Sequence, residues 1–278
     1  MIDLDAIGPL LRAALAEDVG PGDVTSSLLV PGSARARGRI VAKARGVLAG
    51  VDVARRVFEI ACDGGARVVS SAREGEGVGS GAQVLEVEGP ARGLLAGERT
   101  ALNFLIRLSG IATLTARFVE AVRGTRARIL DTRKTTPGLR ALEKHAVRMG
   151  GGGNHRHALY DAVLVKENHL AFGGDLARAL ASRPAGMPAI VEAETLGEFR
   201  LASAAGADVV LLDDFALEEI RACVRERGNA ERPLLEVSGG VTLENVRAYA
   251  ETGVDRISVG ALTHSAAALD LSMRLDPA

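Results

Sequence analysis

Through the second half of the chain, short apolar runs alternate with amphipathic stretches. The runs are Arg128-Ile129-Leu130, Ala162-Val163-Leu164-Val165, Ala189-Ile190-Val191, Val209-Val210-Leu211-Leu212, Leu234-Leu235-Glu236-Val237 and Ile257-Ser258-Val259. Runs this apolar predict strands buried on both faces, and intervening segments such as Leu196–Ala205 and Leu243–Thr252 predict the helices that cover them. The cadence of strand, helix, strand implies a parallel sheet, and a barrel of β/α units fits it best.

The first hundred residues read differently. A helical start at Leu4–Glu17, a strand-like Arg39-Ile40-Val41-Ala42 and Gly-rich turns from Glu74 to Gly81 predict a smaller α+β domain. Leu95, Leu102, Leu105 and Leu108, then Leu114, Phe118 and Val122, recur at helical spacing, with a break predicted at Ser109-Gly110. The expected division is therefore a domain over 1–109 and a barrel over 110–264, with a C-terminal helix at 265–278 rejoining the first domain.

The residues just past each apolar run carry the chemistry: Asp131 with Arg133 and Lys134, then Lys166, Glu192, Asp213, Ser238-Gly239-Gly240 and Gly260. The C-terminal ends of parallel strands form the binding face of β/α proteins, so these groups should converge on one mouth.

Composition narrows the function. Among 278 residues, Lys plus Arg (34) and Asp plus Glu (35) nearly cancel, which leaves no global field for nucleic acid or an anionic membrane. With no Trp and 3% aromatics, base-stacking platforms are excluded as well. The acidic start Met1-Ile2-Asp3-Leu4-Asp5 lacks a basic leader, and no apolar run of membrane-spanning length is expected, which predicts a cytoplasmic protein. Cys62 and Cys223 belong to no metal or redox pattern and read as buried free thiols. The sequence holds no GxxxxGK[ST], strand-linked GxGxxG, HExxH or GxSxG.

Basic charge is concentrated locally. Between Asp131 and His169 lie seven Lys or Arg residues against four acidic ones, with four of the five histidines. Arg140, Glu143, Lys144 and Arg148 have the spacing of a solvated, ion-paired helix surface. Arg133, Lys134, Arg156 and Lys166 do not, and are expected to point into a cavity. His155 reads either as a member of that cluster or as a hydrogen-bonded core histidine. Guanidinium groups grip carboxylates in bidentate fashion, so the natural ligand is a small polycarboxylate. Gly150–Gly153 offers a freely turning backbone with exposed amides. Ser238-Gly239-Gly240, ahead of a helix opening near Thr242, reads as a phosphate cradle, with Gly260-Ala261 as its second half. Glu192 and Asp213 would hold Mg²⁺ or ribose hydroxyls, or else lock the rim as salt-bridged carboxylates.

The stretches Asp131-Thr132-Arg133-Lys134-Thr135-Thr136-Pro137-Gly138-Leu139-Arg140, Gly153-Asn154-His155-Arg156 and Val165-Lys166-Glu167-Asn168-His169 resemble the quinolinate phosphoribosyltransferases. The likeness extends from Asp18–Thr25 through Glu98-Arg99-Thr100-Ala101-Leu102-Asn103 to Val259–Ser265. It implies an open or incomplete parallel β/α barrel of the type II phosphoribosyltransferases, with an N-terminal α+β open-faced sandwich. It also implies quinolinate and phosphoribosyl pyrophosphate as substrates, Mg²⁺, and a place in NAD biosynthesis.

Carried over by position, the resemblance implies that Arg99, Arg133, His155, Arg156 and Lys166 hold the quinolinate carboxylates, with Thr132 beside them and Lys134 near the pyrophosphate. Glu192 and Asp213 would meet the ribose and the metal, and Ser238, Gly239, Gly240, Gly260 and Ala261 the 5′-phosphate. Lys134, Lys166, Glu192 and Asp213 are the catalytic candidates. Arg99 is expected from the partner subunit of a homodimer or higher oligomer. His145, Ala158 and Asp214 depart from the family pattern, where Tyr, Gly and Asn are usual. The competing readings are a molybdenum-operon relative of the same fold, a Schiff-base aldolase built on Lys166, and a non-catalytic anion sensor.

Overall fold

The computed structural model describes residues 2–278 and divides into two compact units. One comprises the chain through Ala116 together with Thr136–Gly151 and Ala266–Ala278; the other comprises Arg117–Thr135 and Gly152–Ser265.

All six apolar runs of the second unit form strands: Arg128–Leu130, Val163–Val165, Ala189–Ala193, Val209–Asp213, Leu234–Ser238 and Arg256–Ser258. They join in one sheet in which every pairing is parallel, with Arg128–Leu130 and Val163–Val165 at its two ends. Beyond Leu130 a stub at Gly153 pairs in parallel, with Gly153 N–H donating to Ile129 O at 2.8 Å. Ala162, Ile190, Val209 and Leu211 make a buried cluster, with Leu164 and Leu234 against it. Side chains two positions apart share a face of a strand, so Leu164, Ile190 and Leu211 are followed on the same face by Lys166, Glu192 and Asp213. The alternation that fills the core thus places polar groups at its C-terminal end.

In the first unit, Leu271–Pro277, Arg35–Ala42, Gln83–Pro90 and Arg67–Ser71 form an antiparallel sheet in that order. The strand Arg35–Ala42 alternates buried and partly exposed positions, with Ala36, Ile40 and Ala42 inward. On the other face Arg37 pairs with Glu88, and Arg39 pairs with Glu86 at 3.2 Å and Asp276 at 3.0 Å.

Four expectations are corrected. The segment 265–278 is not a helix: Leu271, Met273 and Leu275 alternate with Ser272, Arg274 and Asp276, a two-residue period that suits an edge strand. Ser109-Gly110 breaks nothing, because Ala91–Ala121 is one continuous helix. Ser109 Oγ instead accepts from Ala49 N–H at 3.1 Å, and a Cβ on Gly110 would lie 2.1 Å from Ala267 O, so the small pair allows close packing. That helix is also long and apolar enough to cross a membrane by length and composition. More than half of the apolar stretch is buried, through side chains such as Leu94, Leu105, Leu108 and Ile111.

The fourth correction concerns Arg140–Met149, which is not a solvated surface, since Glu143 and Lys144 are buried. Glu143 accepts from Arg107 Nη2 at 2.9 Å, Thr136 N–H at 3.1 Å and Thr136 Oγ1 at 2.9 Å. Arg140 is half-buried and Arg148 exposed. His145, where the family pattern suggests Tyr, is buried with Nε2 3.2 Å from Glu74 Oε2. Glu74 also accepts from the amides of Gly50 and Asp52 at the start of helix Val51–Ala61. Burial opposes its ionisation, but the hydrogen bonds from His145, Asp52 and Gly50 prevail and hold the carboxyl below the usual range.

Candidate active site

In the second unit the strand ends open into a cavity of about 630 Å³. Its lining brings together Thr132, Arg133, Lys134, His155, Arg156, Lys166, Glu192, Asp213, Ser238, Gly239, Gly240, Gly260 and Ala261, which are all the expected site residues except Arg99. Arg99 is exposed on the helix Ala91–Ala121 of the first unit.

Asp131, fully buried at the end of the first parallel strand, organises the basic side. It accepts from Asn154 Nδ2 at 2.5 Å and from His155 N–H at 2.9 Å, which ties the 153–156 loop to the strand. Three of the four glycines Gly150–Gly153 have their amides engaged within the protein. Gly150, Gly151 and Gly153 donate to Ala146 O, Arg148 O and Ile129 O, and a Cβ on Gly150 would meet Ala112 O at 2.3 Å. Their role is packing and pairing.

Arg156 then lies beside Arg133. Burial first, and the charge of Arg133 second, push its guanidinium down from the usual value. Arg133 Nε is buried with no hydrogen-bond partner among the described residues. Two like-charged guanidiniums in one cavity, one with an unsatisfied Nε, make it a favourable place for an anion.

Across the cavity, Glu192 accepts from Lys166 Nζ, and Asp213 ends the neighbouring strand. Lys166 is half-exposed and ion-paired, so it lacks the apolar pocket that a Schiff-base lysine needs. Among the described residues no three His, Cys, Asp or Glu side chains gather as a closed metal cage.

The phosphate cradle differs from expectation. No helix opens at Thr242: its N–H is capped by Asn245 Oδ1 at 2.8 Å, and the helix spans only Val246–Ala250. The cup is a loop in which Gly239 and Gly240 have φ of +90° and +52°, conformations that L side chains rarely adopt. A Cβ on Gly239 would also lie 2.0 Å from Asp214 Oδ1. Asp214 itself has φ +55°, a region where Asp and Asn are enriched, so the backbone accommodates it where the family pattern suggests Asn. Ala158, the third departure, donates its N–H to Asp161 Oδ1 at 2.9 Å.

At the far wall Lys134 crosses over Gly260, where a Cβ would sit 3.1 Å from Lys134 Cδ and 3.2 Å from His264 Nε2. Thr263 Oγ1 donates to Lys134 O at 2.8 Å, which anchors the lysine's backbone. His264 lines the cavity and was missed as a site residue from sequence. Its signal was position alone, four residues after the last strand's glycine. Cys62 and Cys223 are free and buried, and burial pushes both thiols up to about 11.

Residues 23–109 match the family described as quinolinate phosphoribosyl transferase, N-terminal domain, and residues 111–274 match its C-terminal domain. The chain is 45% identical over 279 residues to a Mycobacterium leprae protein named nicotinate-nucleotide pyrophosphorylase (carboxylating), covering 98% of each. It is 42% identical over 269 residues to a Bacillus subtilis protein given the same name as probable, covering 95% of this chain and 91% of that one. The solved nicotinate-nucleotide pyrophosphorylase of Francisella tularensis superposes with a TM-score of 0.93 at 37% identity, over 99% of this chain and 98% of that one. Matched in both domains and aligned with these relatives over nearly its whole length, the chain belongs to the quinolinate phosphoribosyltransferase family.

Proposed function

We propose that this protein transfers the phosphoribosyl group of phosphoribosyl pyrophosphate to quinolinate with decarboxylation, giving nicotinate mononucleotide, pyrophosphate and carbon dioxide in NAD biosynthesis. The observation that carries this reading is one cavity with Arg133 and Arg156 side by side on one wall, and carboxylates and a glycine cup on the others.

Arg133, Arg156 and Lys166, with His155, would hold the two carboxylates of quinolinate. Its ring nitrogen needs no general base, because the lone pair is free to form the bond to the ribosyl carbon as pyrophosphate leaves. Positioning and charge stabilisation suffice. Lys134 would offset charge on the departing pyrophosphate. The positive charge of the quaternised nitrogen then stabilises the electron pair left on the adjacent ring carbon when its carboxylate leaves as carbon dioxide, and that pair takes a proton from solvent. Ser238, Gly239, Gly240, Gly260 and Ala261 would hold the 5′-phosphate.

Glu192 and Asp213 suit Mg²⁺: two carboxylates at neighbouring strand ends, without a closed protein cage, fit a cation that draws its other ligands from phosphate oxygens and water. When bound it would neutralise charge on the pyrophosphate.

The assay is protein with quinolinate, phosphoribosyl pyrophosphate and Mg²⁺, read as nicotinate mononucleotide formed with carbon dioxide. Tight quinolinate binding without product would favour an anion sensor instead. The protein is further proposed to act in the cytoplasm as a homodimer, with Arg99 entering the partner's cavity. The exposed Leu28 and Leu29 of the first unit and Leu159, Tyr160 and Phe172 of the second support an interface. Arg99→Ala and Lys134→Ala proteins should each be nearly inactive and regain activity on mixing; failure with subunit exchange demonstrated would return Arg99 to its own subunit.

A further inference from the structure

Beneath the cavity lies a carboxylate that the reaction above does not use. Glu236, in the middle of strand Leu234–Ser238, is fully buried. Its Oε1 accepts from Ser258 Oγ and faces His155 Nε2 at 3.4 Å, and both of these residues line the cavity. Its Oε2 has no hydrogen-bond partner among the described residues, and the nearest cation is Arg256 Nη1 at 3.8 Å. His155 Nδ1 accepts from Arg156 N–H at 2.7 Å, so a neutral imidazole would carry its proton on Nε2, which stands 3.4 Å from Glu236 Oε1.

We infer that Glu236 is a positioning residue under the carboxylate pocket, holding His155 in its Nε2–H form and taking up a proton when a dicarboxylate fills the cavity. This rests on the quinolinate reading. A bare carboxylate beneath an anion pocket repels the anion, and two anions close together in a water-poor site raise each other's proton affinity. Glu236 has a vacant, buried oxygen to receive that proton. The ionisable groups facing it are His155 from the 153–156 loop, Arg256 from the adjacent strand and Asp131 from the first strand; Leu211 on its other neighbour is apolar. Burial pushes the carboxyl up to about 7; Ser258 and Arg256 temper that rise and Asp131 adds to it. Near neutrality the group is therefore poised to respond to a nearby charge.

The test is calorimetric titration of the full chain with quinolinate at pH 8 in buffers of different ionisation enthalpy. The heats should differ by an amount corresponding to uptake of about half a proton per site. Glu236→Gln, which imitates the protonated carboxyl, should still bind quinolinate but give the same heat in every buffer. Its affinity should stay level from pH 7 to 9, where the unsubstituted protein loses about threefold per pH unit.

Should Glu236→Gln fail to fold, Ser258→Ala, which removes the donor to Oε1, should move the uptake to higher pH. Binding with identical heats in the unsubstituted protein, or uptake that survives Glu236→Gln, would overturn the inference. Absence of any quinolinate binding would overturn the dicarboxylate reading beneath it.

Discussion

Replacing Arg156 by Met separates a binding group from a structural one. Arg156 is half-buried beside Arg133, and among the described residues its Nη1 donates to Ala162 O at a long 3.4 Å. In the free protein burial and Arg133 oppose its charge more than Asp161 matches it, so removing it relieves repulsion. For partly exposed groups screened by water that relief is about 1 kcal/mol or less. With the substrate bound, the same substitution leaves a carboxylate desolvated without its partner, a loss of about 2–5 kcal/mol. At a factor of ten per 1.4 kcal/mol, kcat/KM for quinolinate should fall about 30-fold to several thousand-fold. The melting temperature should hold or rise by up to about 3 °C, at about 2–4 °C per kcal/mol. Steady-state kinetics and a thermal melt on the same preparation decide the matter. A melting temperature lowered by more than about 5 °C with kcat/KM unchanged would refute the reasoning and make Arg156 a structural residue. Arg156→Lys keeps the charge but loses the planar fork, and should recover only part of the activity.

Glu143→Ala removes the acceptor that Arg107 and Thr136 share in the first unit and should cost about 3 kcal/mol in urea unfolding, near the low end for a broken buried pair because Arg107 is partly exposed and keeps its bond to Ala266 O. Gly110→Ala forces a methyl against the backbone at Ala267 and should lower stability by about 1–3 kcal/mol, read as a lower urea midpoint at unchanged slope. Glu236 supplies a pH test of stability. Its carboxyl is raised from 4.5 to about 7 in the folded protein, so the cost of ionising it is absent below about pH 4.5 and fully present above about pH 7. Glu236→Gln should match the unsubstituted protein at the acid end and exceed it by on the order of 3 kcal/mol above pH 7. Parallel stability curves across that range would contradict the assignment.

The parallel sheet and the mouth were legible because a strand buried on both faces is a short, nearly continuous apolar run, and the polar residue just past the run marks its exit. Lys166, Glu192 and Asp213 were found in this way. The C-terminal strand was lost because its alternation is short and its partner, Arg35–Ala42, is more than two hundred residues away. The burial of Glu143 and Lys144 was illegible for a related reason: helical spacing describes a surface equally well whether solvent or protein covers it. Glu236 and Ser258 were read only as members of apolar runs. Yet a lone carboxylate in the middle of such a run is itself a signal, since a buried strand has no other reason to carry one.

The antiparallel sheet of the first unit pairs Arg35–Ala42 with Leu271–Pro277, so the two strands leave the ribosome at widely separated times. Until the later one emerges, Arg35–Ala42 presents unpaired amides and carbonyls along one side, the form of exposed edge that recruits strands from other molecules. Arg39 on that strand, whose pair with Asp276 is still unmade, keeps positive charge beside the open side during the interval. The arginine that fastens the finished edge through Asp276 would then serve earlier as a repellent charge, guarding an incomplete nascent chain against aggregation.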